Sequence, residues 1–350
     1  MRDAGIVGRR DVLRGFTGLA ATLAAAPWVG MRVHAQGGGA AAAPAPPAKG
    51  TQLVLLGTQG GPNVNLRRSQ ASNAVVVDGR PYLVDCGYGA VRALVAAGIG
   101  YGQLATAFIT HLHDDHTTDL PALLSLQWTG SRSQPTDVYG PYGTAAMIDA
   151  AIAFMKGNTD IRVTDEGRTI RPEQLFHGHD VNAEAAPVQV FKDDRIIVTA
   201  AENTHFPDRA KAAMRYRSIA YRLQTETRSI VISGDTAYSK NLVSLAKGVD
   251  FFVCEVIDQP QYEANLAAAQ QAKAQGRENS IAQHVVETHS NNADVGRMAT
   301  EAGVKAVVLT HLLPGSNRNT AAEYPDSSYI EGVKKAYSGQ VIVGRDLMVL

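Results

Sequence analysis

The sequence predicts an α/β chain in which short buried strands alternate with helices. Apolar, β-rich runs recur along the chain, and each ends at a polar residue or a glycine, where a site could form. Alanine-rich stretches at 267–274 and 292–302 are typical of helices. Hydrophobic residues make up 45% of the 350 residues, which provides a large core and excludes a disordered chain. The length fits one large domain or two smaller ones.

The N-terminal residues 1–35 resemble a twin-arginine export signal. Arg9 and Arg10 form the arginine pair, a hydrophobic residue follows two places later, and a weakly apolar run occupies 15–30. Small residues in the segment 33–35 provide a cleavage site. We therefore expect a periplasmic or secreted protein.

A linker rich in glycine, alanine and proline follows at 36–50, and we expect the folded domain to occupy 51–350. The apolar run of the leader is too short for a stable transmembrane span, and no cysteine lies near the cleavage site. We therefore expect no membrane anchor. The sequence leaves a homodimer open.

The balance of charge argues against contact with a nucleic acid backbone. The chain carries 33 basic and 33 acidic residues, and removal of the leader leaves 28 basic and 31 acidic residues. Binding to phosphates needs clustered Lys and Arg, so we expect no nucleic acid partner. The two cysteines, Cys86 and Cys254, lie in apolar runs and are expected to be buried free thiols.

The elements can be placed in order along the folded domain. Asp78, Gly79 and Arg80 predict a hairpin turn between two apolar runs, and Gly87 and Gly89 open the first helix. The prediction comprises strands at 51–56, 73–78 and 81–85, a helix at 90–97, a strand at 105–110, a helix at 120–128, strands at 195–200, 218–223, 229–232 and 249–254, helices at 267–274 and 292–302, and strands at 305–309 and 340–343.

The most informative segment directly follows the predicted strand at 105–110. Three histidines and two aspartates lie within six residues: His111, His113, Asp114, Asp115 and His116. Imidazole and carboxylate groups are natural zinc ligands. His111 and His113 point in one direction and Asp115 with His116 turns to a second position, so this cluster could serve two metal ions. A purely structural zinc site is disfavoured, because such sites are usually rich in cysteine.

These motifs resemble the metallo-β-lactamase superfamily, and specifically its ribonuclease Z and arylsulfatase-like branch. The resemblance runs from Gln52 to Leu350 and implies a four-layer αββα sandwich of two mixed β-sheets flanked by helices. The segments that carry it, besides the histidine cluster, are Leu55–Thr58 with Gly60–Pro62, Leu83–Gly87, Ile232–Thr236, His289–Asn292 and Leu309–His311.

The resemblance also implies a dizinc hydrolase that uses a metal-bridging hydroxide. One zinc ion would take His111, His113 and His205, and the other would take Asp115, His116 and His311, with Asp235 bridging both. No strict local pattern marks His205. Asp115 and His289 would be catalytic, since His289 could assist the leaving group, and Asp85 would orient a ligand imidazole. Other divalent metals remain alternatives to zinc, and no further cofactor is implied.

Other residues compete for roles near this site. His177 and His179 could bind metal by their spacing, but we expect them in a loop with a solvent or pocket-rim role. His284 competes with His289 for the leaving group. The segment 257–283 is expected to be a helical insertion near the metals. Candidate pocket walls, for which ordinary packing is the alternative, are Phe206, Trp128, Tyr238 and Tyr262.

The expected substrate is a small ester-like molecule, with arylsulfatase-like activity favoured. Only 29 residues separate His205 from Asp235, which leaves no room for the tRNA-grasping arm of the ribonuclease Z type. Hydrolysis of a phosphodiester, a lactone, a β-lactam or an aryl halide remains an alternative. A non-catalytic periplasmic metal-binding protein is the alternative of another class, and it is disfavoured because a binder needs no leaving-group histidine.

Overall fold

The computed structural model describes residues 49–184, 186–277, 280–315 and 323–350. The predicted signal peptide and all but the last two residues of the predicted linker lie outside these ranges. Two seven-stranded mixed sheets pack face to face, with helices on both outer surfaces. The predicted αββα sandwich is therefore confirmed.

The first sheet has the order β14-β1-β2-β3-β4-β5-β6. Its strands from β14 to β3 pair antiparallel, whereas β3 to β6 pair parallel. The predicted hairpin is present, because Asp78 and Gly79 both adopt positive φ between β2 and β3. The strands are β1 (Thr51–Gly57), β2 (Ser72–Val77), β3 (Arg80–Val84), β4 (Thr106–Phe108), β5 (Thr136–Pro141), β6 (Phe176–Val181) and β14 (Met348–Val349).

The second sheet has the order β13-β12-β11-β10-β9-β8-β7 and repeats the same plan. Its strands from β7 to β10 pair antiparallel, and β10 to β13 pair parallel. Of the parallel strands, β10, β11 and β12 are buried on both faces, which explains their continuous apolar runs in the sequence. The strands are β7 (Val188–Lys192), β8 (Ile196–Glu202), β9 (Ile219–Thr225), β10 (Ser229–Ile232), β11 (Phe251–Ile257), β12 (Ala306–Leu313) and β13 (Gln340–Val343).

Three layers of apolar side chains hold the sandwich together. The middle layer lies between the sheets and includes Phe108 and Tyr221, both fully buried. The outer layers pack α1, α3 and α4 on the first sheet and α6, α9 and α10 on the second. The helices are α1 (Ala90–Ala96), α2 (Asp114–Thr117), α3 (Leu120–Thr129), α4 (Thr144–Glu166), α5 (Asp208–Ala213), α6 (Lys240–Leu245), α7 (Gln259–Ala274), α8 (Ile281–Thr288), α9 (Asn292–Ala302) and α10 (Asp326–Lys334).

Three predictions about single residues can be compared with this fold. Cys86 and Cys254 are buried free thiols, as expected. Trp128 does not line a pocket, because it is 2% exposed and packs between α3 and the first sheet. His177 and His179 were expected in a loop but lie on the edge strand β6. On this strand they alternate with the inward-facing residues Phe176 and Gly178. No helix among the described residues is long and apolar enough to cross a membrane.

Candidate metal centre

The predicted site residues meet at one edge of the sandwich, where strands of both sheets end. The loop after β4 and the short helix α2 bring the histidine cluster from the first sheet. The second sheet contributes His205 after β8, Asp235 after β10 and His311 within β12. Carboxyl ends of parallel strands commonly form such sites, because their loops converge at one edge.

One group of donors consists of His111, His113, His205 and Asp235, whose ligand atoms all lie within 4.8 Å of one another. His113 Nδ1 lies 3.0 Å from His111 Nε2 and 3.2 Å from His205 Nε2. The Nδ1 atom of His205 faces the carbonyl oxygen of Thr288 at 3.2 Å. This contact holds the ring so that Nε2 is directed into the group.

A second group consists of Asp115, His116, Asp235 and His311, and all four residues are buried. His311 Nε2 lies 3.2 Å from Asp115 Oδ2 and 3.2 Å from Asp235 Oδ1. His116 Nε2 is also 3.2 Å from Asp235 Oδ1. Asp235 therefore belongs to both groups, and each group combines residues from both sheets.

The donors fit bound metal ions, because several buried atoms lack any other partner. His116 Nε2 and Asp235 Oδ1 are buried, and although they lie 3.2 Å apart, neither atom makes a hydrogen bond of acceptable geometry. A buried polar atom without a partner costs free energy, so an ion between these atoms would remove that cost. The imidazole and carboxylate donors suit zinc, and the described residues contain no cysteine at this site.

Asp85, predicted to orient a ligand imidazole, lies against His116. Its carboxylate accepts a hydrogen bond from the Thr110 amide at 2.8 Å and lies 2.9 Å from His116 Nδ1. This contact leaves His116 Nε2 for the donor group. Gly234, just before Asp235, has a φ of 59°, and a Cβ there would lie 2.7 Å from Thr110 Cβ. Glycine is therefore required where the two loops touch.

His289 lies beside the donors but outside both of these groups. It follows helix α8, and its Nδ1 lies 2.7 Å from Glu255 Oε2 on β11. Burial opposes a positive charge on His289, but the Glu255 carboxylate, together with that of Asp235, outweighs burial and raises the pKa of the imidazole. Glu255 is fully buried and also accepts a hydrogen bond from the Thr236 amide. Glu255 was not among the residues predicted from the sequence, because it is a single acidic residue within the apolar strand β11 and its partner His289 is remote in sequence.

The competing histidines occupy two different places. His284 projects from α8 toward the donors, with its ring centroid 5.3 Å from that of His205 and 5.4 Å from that of His289. Burial and His289 lower its pKa to about 4. His177 and His179 instead lie near Asp137, with His179 Nε2 2.7 Å from the carboxylate.

The pocket-wall candidates Phe206 and Tyr238 lie in different surroundings. The Phe206 ring contacts the metal donors, with its centroid 4.9 Å from His205 and 5.6 Å from His113. Within the predicted insertion at 257–283, α7 and the first residues of α8 are helical. Tyr238 instead packs on the core of the second sheet and donates a hydrogen bond to Glu301.

Comparison with known families identifies the class of protein. The profile of the beta-lactamase superfamily domain matches residues 80–312, which is most of the chain and includes the donors from His111 to His311. The chain therefore belongs to the beta-lactamase superfamily, and it has the metal-dependent hydrolase fold that the sequence motifs indicated.

Among individual proteins, the chain is 30% identical over 298 residues to ribonuclease Z of Mycobacterium sp. (strain KMS), covering 85% of this chain and 94% of the relative. It is 26% identical over 299 residues to ribonuclease Z of Mycobacterium bovis (strain BCG / Pasteur 1173P2), covering 85% and 96%. Human tRNase Z, short form, has the same fold, with a TM-score of 0.59 and 22% identity over 85% of this chain and 98% of that one. YhfI of Bacillus subtilis, a metallo-beta-lactamase fold protein, gives a TM-score of 0.60 and 17% identity over 86% and 98%.

These relatives correct one prediction. We expected a small-molecule substrate and no nucleic acid partner, but the relatives at 26–30% identity are named ribonuclease Z and match over nearly their whole length. The spacing between His205 and Asp235 is therefore no ground for excluding nucleic acid. Net charge failed as a criterion because it averages over the chain, whereas phosphate contacts depend on local clusters of charge.

Proposed function

We propose that this protein is a two-metal phosphodiesterase that acts on RNA. The observation that carries the proposal is the pair of donor groups that share Asp235, since two-metal sites of this kind serve hydrolysis of phosphate esters. The ribonuclease Z relatives favour a phosphodiester over a sulfate ester as the bond that is cleaved. They give no support to the arylsulfatase-like activity that the sequence motifs suggested.

His111, His113 and His205 would hold one metal ion, Asp115, His116 and His311 would hold the other, and Asp235 would contact both. Bound ions would lower the pKa of an attacking water molecule and neutralise charge on the phosphate. The distance between Asp115 Oδ2 and His311 Nε2, 3.2 Å, places the carboxylate inside the donor cluster. Asp115 can therefore orient the water and accept its proton.

His289 is the group that can serve the departing oxygen. Its Nδ1 is held by Glu255, so its Nε2 is the atom available to the substrate. Because Glu255 favours the protonated imidazole, His289 can donate a hydrogen bond or a proton to the leaving oxygen. The ribonuclease Z relatives favour a hydrolase over a protein that only stores metal.

The proposal is tested with purified, zinc-loaded protein and three substrates: bis(p-nitrophenyl) phosphate, p-nitrophenyl sulfate and a labelled oligoribonucleotide. We expect turnover of the phosphodiester and the RNA, and none of the sulfate. Asp115→Asn should abolish turnover of both. His179→Ala is the matched control, since that histidine is partly exposed on β6 and should leave the rates unchanged.

Two results would overturn the proposal. Turnover of the sulfate alone would return the protein to the arylsulfatase-like branch. Stoichiometric metal without turnover of any substrate would identify a metal-binding protein.

A further inference from the structure

The segment 206–217, directly after the metal donor His205, differs in charge from the rest of the chain. It contains four basic residues and one acidic residue within twelve positions: Arg209, Lys211, Arg215 and Arg217 against Asp208. The folded domain as a whole has a slight excess of acidic residues. In the folded protein Arg209 pairs with Glu287, Lys211 with Glu202 and Asp208, and Arg217 with Glu184. Among the described residues, Arg215 is therefore the cation of this segment that can meet a phosphate.

The segment runs along the surface from the donor cluster to the start of α4. It begins at Phe206, whose ring contacts His113 and His205. Near its other end, Tyr216 packs on Gly143. A Cβ at Gly143 would lie 2.9 Å from Tyr216 Cε1 and 2.9 Å from Leu112 Cδ1. Leu112 stands between His111 and His113 in the sequence, so this end of the segment lies beside the loop that carries two of the metal donors.

Two exposed tyrosines and an arginine, Tyr142, Tyr216 and Arg215, lie side by side at this end, and we call these three side chains the platform. The Arg215 guanidinium carbon lies 3.9 Å from the centroid of the Tyr142 ring, and the Tyr142 and Tyr216 centroids are 5.8 Å apart. Tyr142 is 38% exposed and Tyr216 46% exposed, so both rings are available to a ligand. Tyr142 and Arg215 line a cleft of about 440 Å³ that is also lined by Asn182.

The charges around this surface leave one cation available. Asp180 accepts hydrogen bonds from the amides of Gly143 and Ala145 at the start of α4, and Glu184 pairs with Arg217 at 3.1 Å. Among the described residues, Arg215 makes no ion pair with a carboxylate. The carboxylates beside the cleft are thus engaged within the protein, whereas the positive charge of Arg215 faces solvent.

We propose that Tyr142, Arg215 and Tyr216 bind unpaired nucleotides of an RNA strand whose scissile phosphate lies at the metal donors. Bases stack on aromatic rings and on the guanidinium plane of arginine, and such stacking tolerates any base. Arg215 in addition contacts a backbone phosphate. This inference rests on the proposed phosphodiesterase function, and it assigns to the short segment 206–217 the task of holding the RNA.

The experiment compares kcat/KM for two substrates of the zinc-loaded protein, a single-stranded oligoribonucleotide and bis(p-nitrophenyl) phosphate. The small ester has the same kind of scissile bond but no chain of nucleotides to extend along Tyr142, Arg215 and Tyr216. Tyr142→Ala, Arg215→Ala and Tyr216→Ala should each lower kcat/KM for the RNA about 5- to 100-fold and leave kcat/KM for the small ester unchanged.

The salt dependence of the RNA reaction tests the phosphate contact. Arg215→Ala should reduce the slope of log kcat/KM against log salt by about 0.7, whereas Arg215→Lys should keep that slope. Phe154→Ala, an exposed aromatic on α4, is the matched control and should change neither rate.

Each outcome decides the inference. Equal losses for both substrates would mean that the substitutions disturb the metal centre, and an unchanged rate on RNA would mean that the platform does not bind it; either result overturns the inference. If the unmodified protein hydrolyses neither substrate, the proposed function itself fails, and that outcome is distinct from the other two.

Discussion

Glu255→Gln tests whether a buried carboxylate acts through His289. Glu255 Oε2 lies 2.7 Å from His289 Nδ1, and the glutamate is fully buried. Glutamine keeps an oxygen for the Thr236 amide but removes the charge that favours a protonated imidazole. A hydrogen bond to a charged group contributes about 1.5–3 kcal/mol, so kcat for RNA should fall roughly 10- to 100-fold.

The assay measures kcat for Glu255→Gln, His289→Ala and the double variant, together with the metal content of each. His289→Ala should lower kcat roughly 10²- to 10⁴-fold without loss of metal, and Glu255→Gln should add little once His289 is absent. All losses should be smaller with a nitrophenolate leaving group, since it needs little protonation as it departs.

The reasoning is refuted if Glu255→Gln costs as much in the absence of His289 as in its presence. Loss of metal from Glu255→Gln would point instead to His311, whose Nδ1 lies 3.6 Å from Glu255 Oε2. Loss of metal from His289→Ala would make His289 a ligand. If His289→Ala leaves turnover unchanged, His284 becomes the next candidate to assist the leaving group.

Three further predictions concern metal content, acid stability and export. The protein should contain about two divalent metals per chain, and Asp235→Ala should lose most of them; a stoichiometry at or below one in the unmodified protein would exclude the shared site. Asp250 has a pKa lowered to about 2, because bonds from Ser229 and Lys305 outweigh its partial burial. Asp250→Asn should therefore lower the free energy of unfolding by about 1 kcal/mol at pH 7, and chemical denaturation should show this difference vanishing as the pH falls from 4 towards 2. We also propose export through the twin-arginine pathway, so replacement of Arg9 and Arg10 by lysine should remove the protein from the periplasmic fraction, and an unchanged fraction would exclude this route.

Local sequence signals predicted most of the scaffold. The strands at 229–232 and 340–343 and the helix at 292–302 have the predicted bounds, because apolar runs and helix caps are local features. The helix α7 begins eight residues earlier than predicted, since its first half lacks the alanine-rich composition that marked the second. The edge strand β6 was missed, because its His-Gly-His pattern is polar on one face and has glycine on the other.

In the candidate site, too, residues that are close in sequence were predictable and those that meet only in the fold were not. The cluster at 111–116 was recognisable because its donors are adjacent in sequence. The seven donors do meet, but only the three-dimensional structure reveals Glu255, whose partner His289 is 34 residues away. The choice of substrate was outside the reach of the sequence motifs, because they describe the metal centre and not the surface that holds the rest of the substrate.

Because each donor group takes residues from both sheets, a bound metal ion would also hold the two sheets together. Every bound ion would cross-link the first half of the chain to the second through the seam of the sandwich. Free energy of metal binding would then become free energy of folding, about 4 kcal/mol when free metal exceeds the dissociation constant 1,000-fold. A chelator should accordingly lower the temperature at which the whole domain unfolds, and newly made chains that meet metal late would spend longer with their two halves incompletely joined.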